Sequence, residues 1–414
     1  MRRSIPFMAP LLAAALLSAC IGGNGTSAAS VAPSAPQNTL TLNVDAGPPA
    51  GGGGGGAINH AYVTVKVCVP GSQTQCANID HVLLDTGSWG LRLVRSVLTA
   101  GGISLKSEID GQGRNIEECV AFGGGQTWGP VALADVTMAG EIAAKLPVQV
   151  MDDAATAAAT PAGCNVSNMI NGVSGFNANG VLGVGVFAQD CGTACVTGGA
   201  NQIYYGCTAA GVCTAETTVA LTDQVTNPVT LFATDNNGVI VNLPNLKNAN
   251  GDATVQGELI FGIATQTNNG LPATGLTVLG TDANGDFKAT YYTSATVLPA
   301  LIDSGTDAYA FNDPALAVCS SGSFVGGYYC PVGAPLIRSA VNSGVGANNA
   351  SSTVNFTIED PTTFVATAAA FMDLAGGPGS SHLIWGMPFF YGRPVYVGIE
   401  GRVAGTYTGP YYAY

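Results

Sequence analysis

Charged side chains are scarce in this chain: they make up 9% of its 414 residues, and only 13 are Lys or Arg against 26 Asp or Glu. The formal net charge is −13, and −15 once Arg2 and Arg3 of the leader described below are set aside. So acidic a chain repels phosphate backbones and anionic headgroups, which excludes nucleic acid as a partner. A surface of Thr, Asn, Ser and Gln also changes its hydration little as pH falls, which suits an acidic setting. Histidine is rarer still, at His60, His81 and His382, with none beside a cysteine cluster. Neither a zinc centre nor a Ser-His triad is indicated, and no metal or cofactor is expected. A Gly-x-Ser-x-Gly elbow is missing, since Gly172-Val-Ser-Gly175 has the wrong spacing, and so is a phosphate-cradling glycine loop with its lysine. No apolar run reaches the roughly 20 residues a membrane-spanning helix needs.

What is present begins with a leader. Residues 1–20 combine a basic start, a short apolar run and small residues before Cys20, the pattern of a secretory signal. Leu17-Ser-Ala-Cys20 resembles the bacterial lipobox, which implies that Cys20 becomes the lipidated first residue and anchors the protein to a membrane through several acyl chains. Ile21 in place of Asp after that cysteine implies the outer membrane. Residues 21–57 are Gly, Ser, Ala and Pro with the run Gly51 to Gly56, and are expected to form a flexible tether. No inhibitory prosegment is recognisable there. With Cys20 set aside, the remaining ten of 11 cysteines form an even set in an exported chain, which reads as disulfides. Proximity suggests Cys68 with Cys76, Cys191 with Cys195, Cys207 with Cys213 and Cys319 with Cys330, leaving Cys119 and Cys164 for each other; sequence alone leaves the connectivity open.

The secondary-structure pattern is β throughout. Tyr62-Val-Thr-Val-Lys-Val-Cys68 and Ala132-Leu-Ala-Asp-Val-Thr-Met138 alternate with period two, and turn clusters such as Asp235-Asn-Asn-Gly238 separate such runs. Asp282-Ala-Asn-Gly-Asp286 has some calcium-loop residues but lacks the distal Glu and flanking helices, so it is expected to be a hairpin turn. The 57 glycines suit a turn-rich sandwich or double barrel, and a chain this long is expected to form two lobes rather than one core.

Two of the turns repeat. His81-Val-Leu-Leu-Asp-Thr-Gly-Ser88 delivers Asp85 from an apolar run into a Thr-Gly-Ser turn, and Ala300-Leu-Ile-Asp-Ser-Gly-Thr306 does the same with Asp303. Downstream of each comes an apolar pair and a glycine, Val181-Leu-Gly183 and Ile384-Trp-Gly386. Long-range similarity of this kind points to duplicated structure. The arrangement resembles the pepsin-like aspartic peptidases over roughly residues 58–414. It is also similar, from end to end, to an uncharacterised family of bacterial secreted proteins known as domain of unknown function 3443.

The first resemblance implies an all-β, bilobal, pepsin-like acid-protease double barrel with pseudo-twofold symmetry, its lobes at 58–225 and 226–414. It also implies an aspartic endopeptidase that takes extended polypeptide in the cleft between the lobes, acting as a monomer. Asp85 and Asp303 would be the catalytic pair. Two carboxylates about 3 Å apart cannot both be ionised, so one is the base that activates a water and the other the acid. By the same resemblance Thr86 and Ser304 would tie the turns together, Gly87 and Gly305 would form their tips, and Ser88 and Thr306 would orient the outer carboxylate oxygens. The stretch Ala121 to Gly140 resembles the flap hairpin, with Phe122, Gly123, Gly124 and Trp128 as substrate-binding residues. This chain has Phe122 where the family carries a tyrosine, and Arg92 where it carries the tryptophan that tyrosine bonds to; Trp128 or Trp89 would be the substitute donor. Asp307, where the family is uncharged, would raise the upper pKa of the pair. Trp385 is expected in the core. The alternative reading is a pepsin-shaped binding lipoprotein that does not cut what its cleft holds.

Overall fold

The computed structural model describes residues 38–49, 56–154, 160–161, 163–164, 168–198, 203–216, 218–248, 250–292, 294–320 and 325–414. The leader and Cys20 lie outside them. Alternation becomes strand where one face has a core to meet: in Ala61–Cys68, Val63, Val65 and Val67 are buried while Thr64 and Lys66 are exposed. Cys76–Asp85 pairs antiparallel with that strand, ending on Cys68 opposite Cys76, which are disulfide-bonded. All five bonds follow the proximity reading, Cys119–Cys164, Cys191–Cys195, Cys207–Cys213 and Cys319–Cys330 being the others. Among the described residues no helix is long and apolar enough to cross a membrane.

The architecture is all-β and two-lobed, as the pepsin-like resemblance implies. Among the described residues, fifteen strands, including the Asp85 strand, form one continuous sheet, and seven more, including Val297–Ile302 before Asp303, form a second. The same local crossing occurs in each lobe. Cys76–Asp85 runs parallel to Gly180–Val184, which pairs antiparallel with Trp89–Val94 on its other side. In the other lobe Val297–Ile302 runs parallel to Leu383–Trp385, which pairs antiparallel with Tyr309–Ala310. The apolar pairs are thus interior strands covered on both edges. Trp385 is fully buried, its indole donating to Asn342 Oδ1 at 3.0 Å, so it is a core residue as expected.

The tether expected over 21–57 is corrected at its distal part. Thr39–Val44 is a strand that pairs with Val255–Phe261 along all six of its residues and meets Ala61 and Tyr62 on its other edge. It therefore joins the two lobes. The reason is legible afterwards: Leu40, Leu42 and Val44 alternate with Thr39, Thr41 and Asn43, and Leu42 and Val44 are fully buried. Asp282–Asp286 is a turn, its Asp282 Oδ1 accepting the backbone N–H of Asn284 at 2.8 Å and of Asp286 at 3.1 Å.

Candidate active site

Each Asp stands where its strand ends, beside the glycine of the crossing strand. Asp85 is in register with Gly183, and the backbone N–H of Asp303 donates to Trp385 O at 2.9 Å, one residue before Gly386. Those glycines are steric necessities. A methyl group at Gly183 would stand 2.6 Å from Trp89 N, and one at Gly386 2.1 Å from Ala308 O. No side chain fits where two backbones cross so closely.

The turns repeat each other bond for bond. The N–H of Gly87 donates to Asp85 Oδ1 at 2.8 Å and that of Gly305 to Asp303 Oδ1 at 2.8 Å. Ser88 Oγ donates to Asp85 Oδ2 at 2.6 Å and Thr306 Oγ1 to Asp303 Oδ2 at 2.6 Å. Between them Thr86 and Ser304 exchange a buried lattice across the lobes. Thr86 Oγ1 accepts from the N–H of Ser304 at 3.0 Å and donates to Ile302 O at 2.8 Å; Ser304 Oγ accepts from the N–H of Thr86 at 3.1 Å and donates to Leu84 O at 2.8 Å. Each bond contributes about 0.5–1.5 kcal/mol net, but a buried group left unpaired costs about 1–3 kcal/mol, so the lattice also penalises any slip between the lobes.

The result is two carboxylates around one point. A methyl group at Gly305 would stand 2.9 Å from Asp85 Oδ1 and 3.1 Å from Asp303 Oδ1, and one at Gly87 would stand 2.6 Å from Asp303 Cγ. Burial, and then the charge of Asp303, pushes the Asp85 carboxyl up to about 8, against the bonds from Ser88 and Gly87. A pair this close shares its proton, and the titration belongs to the dyad. Sequence reading missed a third support. The Tyr412 hydroxyl, fully buried, donates to Thr86 O at 3.1 Å, and burial followed by the charges of Asp303 and Asp85 keeps it protonated. Its strand, Tyr411–Ala413, is three residues long and carries no motif.

Asn115–Phe122 and Gly125–Met138 form a hairpin, with Gly123 and Gly124 at its turn. Phe122 and Gly123 line both of two cavities that share Asp85 and Asp303. One, of about 340 Å³, is lined by His60, Leu83, Gly124, Ile170, Phe176 and Asp307 among others. The other, of about 370 Å³, is lined by Ser88, Trp89, Arg92, Ala121 and Asp190 among others.

Trp128 is a correction. It is buried, packing edge-on to Tyr205 at 5.4 Å beside the Cys119–Cys164 bond, and lines neither cavity. Its strand position explains this, because Trp128 lies opposite Cys119 and both point away from the cleft into a satellite core. Neither Trp128 nor Trp89 is the partner of Phe122. The Arg92 guanidinium lies over the Phe122 ring at 5.5 Å and the Phe176 ring meets it edge-on at 5.2 Å. The contact of Phe122 is thus a cation on its ring and an aromatic edge, with no hydrogen bond between side chains.

Arg92 is itself buried and held from three sides. It donates to Trp89 O at 2.7 Å, to Glu118 Oε1 at 2.7 Å and to Asp190 Oδ2 at 3.0 Å, while Asp190 Oδ1 accepts from the Tyr204 hydroxyl at 2.6 Å. Burial alone would lower the guanidinium's affinity for its proton, and Glu118 and Asp190 more than reverse that. Burial and then Glu118 hold the Asp190 carboxyl well above the usual range. Asp307 does lie by the dyad. Its carboxylate accepts from the Tyr328 hydroxyl, and burial pushes it up while Tyr328 and His60 pull it back.

Among the described residues no cluster of three or more metal-ligating side chains occurs. No curated protein matches this chain. Among solved structures, an aspartic proteinase from Irpex lacteus is similar at 14% identity, with a TM-score of 0.46 over 91% of this chain and 96% of that one. Residues 34–414 match the family described as Protein of unknown function (DUF3443), and the chain belongs to that family.

Proposed function

We propose that this chain is an exported aspartic endopeptidase that cleaves extended polypeptide, held to the outer membrane by lipid on Cys20 and acting as a monomer. The observation that carries the reading is the symmetric dyad: two carboxylates around one point, each oriented by a glycine N–H and a hydroxyl, on turns locked together across the lobes. Five disulfides fit an extracellular or periplasmic setting.

In the proposed reaction the dyad enters with one proton and one negative charge. The ionised carboxylate takes a proton from a water lying between the two, and the resulting oxygen attacks the peptide carbonyl. The protonated carboxyl gives its proton to the carbonyl oxygen, forming a tetrahedral diol. Collapse of the diol then returns one proton to the dyad and passes another to the leaving nitrogen, so the pair ends as it began. Ser88 and Thr306 hold the outer oxygens, leaving the inner ones to face the water.

The test is proteolysis of an unfolded protein by the full chain in detergent, between about pH 3 and pH 7, with and without a statine-type inhibitor, beside Asp85→Asn. Cleavage that is blocked by the inhibitor and absent in the variant is expected. Cleavage that survives Asp85→Asn would end the dyad reading. The second reading, a cleft that binds without cutting, is favoured by the Arg92 and Phe122 arrangement, and saturable peptide binding without any cleavage would establish it.

A further inference from the structure

We propose that the cavity on the His60 side of the cleft is a subsite for a basic side chain, so that this chain prefers polypeptides with Lys or Arg next to the bond it cuts. The inference rests on the peptidase reading and assigns the substrate class for the same site. The cavity is lined by the apolar side chains of Leu83, Ile170 and Phe176 together with His60 and Asp307. A long aliphatic stem ending in a cation matches that lining, its methylenes against the apolar side chains and its charge at the carboxylate. Among the described lining residues there is no Lys or Arg, while Asp85, Asp303 and Asp307 are all acidic.

Asp307 is available for this work. The hydrogen bonds of the dyad run through Gly87, Ser88, Gly305 and Thr306 and do not include it. One of its oxygens accepts from the Tyr328 hydroxyl, and a carboxylate can accept about four bonds in all. Its backbone is pinned. Asn59 Nδ2 donates to Asp307 O at 2.7 Å, and the same Asn59 side chain accepts from the N–H of Phe371 at 2.7 Å and from the Tyr391 hydroxyl at 2.9 Å. The carboxylate therefore stays inside the cleft.

Among the described residues lining the cavity, His60 is the one group that could neutralise Asp307, and it is a poor cation. Burial lowers the imidazole's affinity for a proton, and its Nδ1 is buried with no hydrogen-bond partner among the described residues. Burial opposes the charge of both groups, so an incoming cation beside Asp307 supplies the counter-charge that favours the ionised carboxylate. A glutamate side chain in the same place would meet three acids.

The experiment uses the full chain and N-acetylated peptides of one sequence, carrying Lys, norleucine or Glu at each position flanking the cut. Lys is expected to exceed norleucine by about tenfold in kcat/KM at one flanking position, with Glu below both. Asp307→Asn, which keeps the volume and an acceptor for Tyr328, should bring the Lys to norleucine ratio close to one. Equal rates for Lys and norleucine at every position, or a ratio that Asp307→Asn leaves untouched, would overturn the inference. Peptides with a free α-amine separate the source of the cation: a preference that follows the α-amine rather than the side chain would also overturn it. If nothing is cut, the peptidase reading fails, and the same acetylated peptides titrated onto the Asp85→Asn chain by fluorescence anisotropy still decide the subsite. Lys binding about tenfold tighter than norleucine sustains it, and equal binding overturns it.

Discussion

Gly87 and Gly305 are constrained from across the molecule rather than by their own turns. A Cβ on Gly87 would lie 2.6 Å from Asp303 Cγ, so each glycine is the room in which the opposite carboxylate sits. Gly87→Ala must push Asp303 off its bond from Thr306 or force the two turns apart. Misplacement by about 1 Å in a reacting pair costs on the order of a hundredfold, so kcat is expected to fall at least that far in Gly87→Ala. Gly111→Ala, at a turn where a methyl group meets nothing within 4 Å, is the matched control and should retain wild-type rates. Comparable loss in both would show that alanine acts through general destabilisation rather than through the dyad.

The flap and the first strand show how elements carry the site. Arg92 joins Trp89–Val94 to the flap strand Asn115–Phe122 through Glu118, and to the Gly180–Val184 lobe segment that continues into Asp190. Arg92→Met would strand two buried carboxylates, and breaking such a group by removing one partner costs about 3–5 kcal/mol. The expected reading is a lowered denaturant midpoint at unchanged slope, partly restored in the double variant Arg92→Met with Glu118→Gln. Thr39–Val44 carries a separate prediction. A chain beginning at Ile58 loses the burial of Leu42 and Val44, about 1.5–3 kcal/mol each, and bares the edge of Val255–Phe261, so it should melt well below the full chain and aggregate more readily. Equal melting temperatures would show that the strand is dispensable.

These elements also mark what sequence could and could not reveal. The Asp turns were legible because the chemistry repeats a local pattern twice, and the disulfides because four of the five join neighbours within eleven residues. The strand at Thr39 was not, since it follows a run of small residues and its main partner, Val255–Phe261, lies in the other lobe. Trp128 read as a cleft residue because it sits in the flap, and alternation alone does not say which face of a hairpin looks at the dyad. The pairing of Arg92 with Phe122 was hidden for another reason. Both positions were visible as departures, but only the folded geometry brings them together, with Glu118 and Asp190 supplying the charges that let an arginine be buried there.

Taken as a whole, the molecule keeps several carboxyl groups where burial favours their neutral form. Asp85 is pushed up to about 8, Glu117 to about 7 and Asp373 to about 6, with Asp190 and Asp307 also raised, and burial is the first cause for each. Asp110 goes the other way, because bonds from Arg114 more than offset its burial, and His60 opposes the trend below its ordinary range. A carboxyl whose folded pKa exceeds its unfolded value binds protons more tightly when folded. Its contribution is therefore fully present below the unfolded value, near 4, and is lost as pH rises through the folded one. The expected window for this chain runs from about pH 4 to pH 8, with stability falling across it by several kcal/mol. Asp85→Asn isolates one part of that slope, because asparagine is neutral throughout. The variant should match the wild type near pH 4 and melt several degrees higher near pH 8, gaining stability where it loses catalysis. Melting curves of the two proteins across that range decide the matter: parallel curves would mean that Asp85 is not held against its charge by the fold, and that the dyad does not share a proton.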